Sequence, residues 1–142
     1  PVYNGKVYTP SNNNGWNYNG YGFDQNIRIL RYSDVLLMYA EALVNGASVP
    51  ITCGLSADNA LNEVRNRAGL GNITGATQQN IWDERRAELA MEEDRFFDLI
   101  RTNQAAAALT DKGFTVGKHE HYPIPAAQIQ LNPNLTQNNG YN

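Results

Sequence analysis

The chain has 142 residues, of which 42% are hydrophobic and 18% charged, so it can bury a core of modest size as one domain or as part of a larger one. Its net charge of −3 at neutral pH gives no electrostatic reason to expect a nucleic-acid or acidic-lipid partner. No apolar run reaches the roughly 20 residues that span a bilayer, and a single cysteine excludes an internal disulfide. Because the first residue, Pro1, is not methionine, we expect the chain to come from a longer protein.

Residues 1–26 are rich in Asn, Gly and Tyr and follow neither a helical nor a strand period, which predicts a loop. This loop carries more aromatic residues than a solvated linker normally does. Large aromatic side chains either pack on a core or offer a flat surface to a ligand, and packing is the commoner case. The candidates for a ligand-stacking surface are Trp16, Tyr18, Tyr21 and Phe23.

Two helices are predicted after this loop. In residues 31–46 the polar positions form only a thin stripe, so this helix needs apolar cover on two sides; Ser33 is its expected N-cap and Gly46 ends it. The second helix begins at the Ser56 cap, carries a stripe of small apolar residues and stops at Gly69. The pair makes an αα-hairpin, the unit of tetratricopeptide-like repeats. Since no second copy follows, we expect partner helices from outside this chain to supply the missing cover.

Asn80–Asn103 is the longest stretch with sustained helical periodicity, and its apolar stripe predicts one long helix that faces the core. Thr77 is the candidate cap of this helix. Four charged residues with the spacing i, i+3, i+7, i+10 run along one edge of that stripe: Arg85, Glu88, Glu92 and Arg95. Charged groups beside a core are costly unless they are paired. We therefore interpret these four as a structural ion-pair network.

Two other patterns suggest chemistry only weakly. Glu84, Glu88 and Glu92 stack at i, i+4, i+8, which resembles the close carboxylate pair of a retaining glycosidase. The interleaved arginines would lower their pKa values, however, whereas a general acid needs a raised pKa. His119 and His121 would face the same side of an extended segment, but they are two ligands where most zinc sites need three or four. We expect no catalytic residue, no metal site and no cofactor.

The C-terminal tail has prolines at positions 123, 125 and 133, which exclude a long helix and predict a wrap over the helices. Its expected anchors are Ile124, Ile129, Leu131 and Leu135. The predicted fold class is therefore mainly α: a tetratricopeptide-like αα-hairpin plus a long helix, with an irregular N-terminal loop and a Pro-rich C-terminal wrap.

Five sequence blocks, in order and spacing, resemble the C-terminal part of the SusD/RagB family of outer-membrane nutrient-binding lipoproteins. Between Ile27 and Tyr141 they read LRYSDVLLMYAEALV, ALNEVRNRAGL, ERRAELAMEEDRFFDLIRT, GKHEHYPIP and LNPNLTQNNGY. Two departures occur, since the family often has a small residue or Gly where Glu93 and Asp94 stand and Pro where Asn139 stands. The resemblance divides the chain into a loop segment, 1–26, and a SusD/RagB-like C-terminal helical region, 27–142, of a longer protein.

The resemblance implies a cell-surface protein, held on the outer membrane by a lipid anchor absent from this chain. There it captures oligosaccharide, or peptide in some members, and delivers it to a SusC-like TonB-dependent transporter, without catalysis or cofactor. Family ligand residues vary and lie outside these blocks, so the candidates remain the aromatic residues of 1–26. Their rings suit the C–H face of a sugar, and the neighbouring Asn side chains suit its hydroxyls. The alternative is a helical-repeat scaffold that binds a peptide or partner protein along a groove.

Overall fold

The computed structural model describes Lys6, residues 28–49, Thr52 and residues 54–141. The chain divides into two compact units, Pro1–Asp94 and Arg95–Asn142. Helices and turns make up these described ranges, which contain no strand, so the predicted mainly α fold is confirmed. No helix within them has the length and apolar character that crossing a membrane requires.

Three helices form the first unit: α1, Tyr32–Val44; α2, Ala57–Arg67; and α3, Gln78–Glu88. Trp82 Nε1 of α3 donates to the Glu41 carboxylate of α1 at 2.9 Å. Arg85 lies one turn after Trp82 in α3, and it donates to Asp34, which lies two turns before Glu41 in α1. The contacts therefore run in opposite directions along the two helices, and α1 is antiparallel to α3. Tyr39 of α1 bonds the carbonyl just before α2, as the predicted αα-hairpin requires.

The core of the first unit lies where the three helices meet. Its largest fully buried side chains are Leu37, Leu61, Val64 and Ile81. The alanines at positions 40 and 60 are also fully buried, so α1 and α2 approach closely. Within α1, Leu37 is fully buried, whereas Tyr32, at the start of the helix, is 70% exposed. The reason is that α2 and α3 both pack on α1, and together they cover the arc that contains Leu37.

Side chains of α2 fix the connection to α3. The Asp58 carboxylate accepts hydrogen bonds from the backbone N–H groups of residues 75 and 76 at 2.8 and 2.7 Å. Asn62 exchanges two 2.8 Å hydrogen bonds with the backbone of Ile73, and Arg65 donates to the carbonyl of Gly71 at 2.8 Å. The connection thus returns along α2 before α3 begins. The predicted caps at both helix starts are confirmed, since the Ser56 and Thr77 hydroxyls accept from backbone amides three residues later.

The single long helix predicted over Asn80–Asn103 is wrong. Helix α3 ends at Glu88, and the next helix, α4, spans Arg95–Arg101. Between them Met91 and Glu93 have φ values of 67° and 70°, in the left-handed region that no α-helix tolerates. In a continuous helix the carbonyl of Glu88 would accept from the amide of residue 92. Instead it accepts from the side chains of Arg31 and Lys6, and these long-range donors end the helix.

The second unit contains α4, then α5, Ala105–Leu109, which runs into a 3-10 turn, Thr110–Lys112, and finally α6, Ala126–Leu131. The expected cap at Ser33 is absent in the first unit, because α1 already begins at Tyr32 with Arg31 as N-cap. In the second unit two of the expected anchors are exposed: Leu131 is 79% and Leu135 36% exposed.

The tail is joined to the segment 117–124 by side chains that bond backbone groups. Gln137 exchanges two 2.8 Å hydrogen bonds with the backbone of Ile124. Asn138 donates to the carbonyl of Tyr122 at 2.6 Å, and Asn139 to that of Gly117 at 3.0 Å. The blocks GKHEHYPIP and LNPNLTQNNGY therefore lie against each other, and the Asn139 amide makes a contact that a proline side chain could not.

Candidate functional site

The aromatic candidates for ligand stacking, Trp16, Tyr18, Tyr21 and Phe23, lie outside the described residues. The polar groups that the structure does bring together in the first unit form a charged cluster where α1 begins and α2 and α3 end. We define this charged cluster as Lys6, Arg31, Asp34, Arg67, Arg85, Glu88 and Glu92.

Arg31 is the centre of the charged cluster. Its NH1 atom lies 2.8 Å from Glu88 Oε1, and its Nε atom lies 2.7 Å from Glu92 Oε2. The other oxygen of Glu88 bonds Arg67 at 2.6 Å, and the other oxygen of Glu92 bonds Lys6 at 2.6 Å. Each carboxylate therefore has one partner of its own and shares Arg31, as paired charges near a core require.

These contacts hold both carboxylates in the charged form. Burial alone would raise the pKa of Glu88, but the hydrogen bonds from Arg31 and Arg67 outweigh it and leave the pKa below its ordinary value. The same balance applies to Glu92. Burial alone would raise its pKa, but the hydrogen bonds from Lys6 and Arg31 lower the pKa by more than burial raises it. A general acid at neutral pH needs a raised pKa, so the direction of both shifts is opposite to the one that acid catalysis requires.

The predicted ion-pair set also includes Arg85 and Arg95. Arg85 is 6% exposed and its NH1 atom lies 2.6 Å from Asp34 Oδ1 in α1. Arg95 begins α4 and belongs to the second unit. Glu84, the third carboxylate of the stack, pairs with Arg65 of α2 at 2.6 Å.

The partners of Glu88 and Glu92 are residues that sequence reasoning missed. Arg31 lies 57 positions before Glu88 and Lys6 lies 86 positions before Glu92. Helical spacing relates residues three or four apart, so no local pattern links these positions. The available signal was indirect: buried acids on α3 need cations, and Arg31 and Arg67 flank the two helices of the predicted hairpin.

A cavity of about 370 Å³ opens beside the charged cluster. Both Arg31 and Arg67 line it, together with the apolar side chains of Leu36 and Val64. Both guanidinium groups are bonded to Glu88. These bonds join the start of α1 and the end of α2 to the end of α3.

The predicted absence of a metal site rests on too few ligands, and the described ranges hold no group of three or more side chains suited to a metal ion. His119 Nδ1 accepts the backbone N–H of Thr115 at 2.7 Å, within a run of turns and not in the extended segment considered above. That bond occupies one of the ring nitrogens that a metal would need.

Comparison with known proteins gives consistent matches. The profile of the SusD family matches residues 2–141. The starch-binding protein SusD of Bacteroides thetaiotaomicron is 31% identical over 130 residues, which cover 83% of this chain and 22% of that protein.

Two solved structures are similar in fold as well as in sequence. A laminarin-binding SusD-like protein shares 41% identity with a TM-score of 0.73, over 84% of this chain and 24% of that one. Surface glycan-binding protein A from Bacteroides uniformis shares 33% identity with a TM-score of 0.68, over 82% of this chain and 28% of that one. The chain thus spans about a quarter of the length of the relatives it matches.

Proposed function

The chain belongs to the SusD family, and from this membership we propose that it is part of a non-catalytic, glycan-binding component of an outer-membrane uptake complex. The complete protein is lipid-anchored at the cell surface, captures oligosaccharide there and hands it to a SusC-like TonB-dependent transporter. The observation that carries this proposal is the family match over residues 2–141. The names of the relatives, which state binding of starch, laminarin and surface glycan, support its glycan part.

Within the chain, we assign ligand contact to Trp16, Tyr18, Tyr21 and Phe23. The four residues fall within eight positions and alternate with Asn and Gly. A pyranose ring presents C–H bonds on its face and hydroxyl groups around its edge. Aromatic rings complement the first, and carboxamides, which donate and accept at once, complement the second.

The charged cluster supports the non-catalytic part of the proposal. Its two central carboxylates, Glu88 and Glu92, are bonded to three cations between them and have lowered pKa values. Such groups join helices and do not transfer protons to a glycosidic oxygen. The charged cluster is therefore a structural feature of the first unit.

The test is isothermal titration calorimetry on the complete protein with oligosaccharides of laminarin and of starch. Trp16→Ala should weaken binding about tenfold, because stacking and the area that a Trp side chain buries contribute more than about 1 kcal/mol. Tyr8→Ala is the matched control, since it removes an aromatic side chain from the same segment outside the assigned set; its Kd should stay within twofold of the wild-type value.

Three outcomes separate the alternatives. Glycan binding that Trp16→Ala weakens supports both the function and the assigned residues. Binding that is unaffected by Trp16→Ala keeps the function and rejects the assignment. A complete protein that binds no glycan but retains peptides indicates the helical-repeat scaffold instead, and release of shortened glycan products would show an enzyme.

A further inference from the structure

The second unit has a cavity of its own. It measures about 340 Å³, at the lower end of the roughly 300–1,000 Å³ of small-molecule sites. Six of its nine lining residues carry rings. They are Phe96, Phe114, His119, His121, Tyr122 and Tyr141.

Hydrogen bonds fix the backbone that carries these rings. Gly113 ends the 3-10 turn with a φ of 82°, and the amide of Phe114 then bonds the carbonyl of Leu109 at 3.1 Å. The Tyr141 hydroxyl donates to the carbonyl of His121 at 3.0 Å, and Asn138 holds the carbonyl of Tyr122. Because side chains of the tail hold the cavity wall, the site is formed before any ligand arrives, and binding has less ordering entropy to offset.

The wall is neutral but not without polar atoms. Among the described lining residues none is acidic, and the cation, Lys112, is paired with Asp111. His119 accepts a hydrogen bond at Nδ1, so in its neutral form the ring carries its proton on Nε2, where it is a donor. The Tyr122 side chain is 69% exposed, and its hydroxyl both donates and accepts. Rings on several sides with a few donors and acceptors match an uncharged ligand that has a flat C–H face and hydroxyl edges.

We propose that this cavity is a second glycan-contact site, which holds one or two sugar rings of a neutral oligosaccharide by stacking on Tyr122 and its aromatic neighbours. The inference rests on the proposed function, since it names a further place on the chain where the same ligand class binds. The wall favours a neutral saccharide over a uronate or sulfate, because Lys112, the cation among the described lining residues, already has Asp111 as a partner. The small volume restricts the site to a short segment of a glycan chain.

The experiment uses the complete protein and calorimetry with laminarin and starch oligosaccharides. Tyr122→Ala should weaken binding at least about fivefold, whereas Tyr122→Phe, which keeps the ring, should recover most of the affinity. Tyr32→Ala is the matched control: Tyr32 belongs to the first unit, does not line this cavity and is 70% exposed, against 69% for Tyr122. Its Kd should equal that of the wild type.

Each result has one meaning. Loss in Tyr122→Ala, recovery in Tyr122→Phe and no change in Tyr32→Ala support the site. Wild-type affinity in Tyr122→Ala overturns the second site and leaves the proposed function intact. If this variant also has a lowered melting temperature, another part of the protein packs into the cavity. A wild-type protein that binds none of these glycans overturns the proposed function, and this inference with it.

Discussion

Replacing Arg31 tests whether the charged cluster stabilises the first unit. Arg31→Met keeps an apolar stem of similar length but removes three hydrogen bonds, to Glu88 Oε1, Glu92 Oε2 and the carbonyl of Glu88, at 2.7 to 2.9 Å. Helix α1 keeps its N-cap, because the Arg31 side chain takes no part in capping. The two carboxylates retain one cation each, Arg67 and Lys6.

The expected loss of stability follows from the burial of the Arg31 and Glu88 side chains. The Arg31 side chain is 21% exposed and its Glu88 partner 6% exposed, so loss of these charge-assisted bonds should destabilise the unit by about 2 to 4 kcal/mol. Arg67→Met is the matched control: it removes one bond to the same carboxylate from a side chain that is 63% exposed. An exposed ion pair is screened by solvent, so this change should cost less than about 1 kcal/mol.

Hydrogen–deuterium exchange of the α3 amides in the complete protein is the suitable assay, because it reports local opening where global unfolding involves other parts. A factor of ten corresponds to about 1.4 kcal/mol, so Arg31→Met should speed exchange of the protected α3 amides about 30-fold or more. Arg67→Met should change it less than about fivefold. Equal effects of the two substitutions, or none from either, would refute the reasoning from burial.

Two further predictions concern the same region. The pKa values of Glu88 and Glu92 are lowered in the folded protein. The charged cluster therefore stabilises the folded state fully at pH values above the ordinary pKa of 4.5, and this stabilisation is lost as the pH falls through the lowered pKa values. The melting temperature of the wild type should therefore fall more steeply in acid than that of Arg31→Met; parallel curves would contradict this. Glu93→Gly should stabilise by about 0.5 to 1 kcal/mol, because relief of the left-handed conformation at φ 70° exceeds the entropy that glycine adds to the unfolded chain. Glu93→Ala keeps the strain, so denaturant melts showing equal stability for the two variants would disprove this explanation.

Local signals were sufficient for the starts of α2 and α3 and for much of the core. Ser56 and Thr77 cap their helices because a hydroxyl before a helix can reach amides only two or three residues away. Leu61 and Val64 are buried at the spacing that the apolar stripe of α2 predicts. Such contacts lie within one turn, and the sequence therefore displays them directly.

The break after α3 was not visible in the same way. Residues 89–94 contain Leu, Ala, Met, Glu and Asp, mostly good helix formers, and the apolar period continues across them. Donors far away in sequence, Arg31 and Lys6, bind the carbonyl of Glu88 and make the interruption favourable. One sign was present, since the family often has a small residue or Gly where Glu93 stands, and that position has a positive φ.

The charged cluster shows why pairing partners are harder to predict than pairing itself. Acids beside an apolar stripe predict that cations must be near, because an unpaired buried carboxylate is costly. Which cations these are depends on the packing of α1 and α2 against α3. The sequence pointed to neighbours on the same helix, whereas the structure bonds Glu88 to Arg31 and Arg67, from two other elements.

In both units, irregular backbone is held by side chains from other parts of the sequence, and this bears on the proposed ligand contacts. Asp58 and Asn62 fix the connection before α3, while Gln137 and Asn138 fix the segment around Tyr122. Loops held in this way stay ordered without a ligand, so an exposed ring on them can contact a sugar at little entropic cost. Substitutions in the holding side chains should then weaken ligand binding indirectly, through loss of order, even where they touch no ligand.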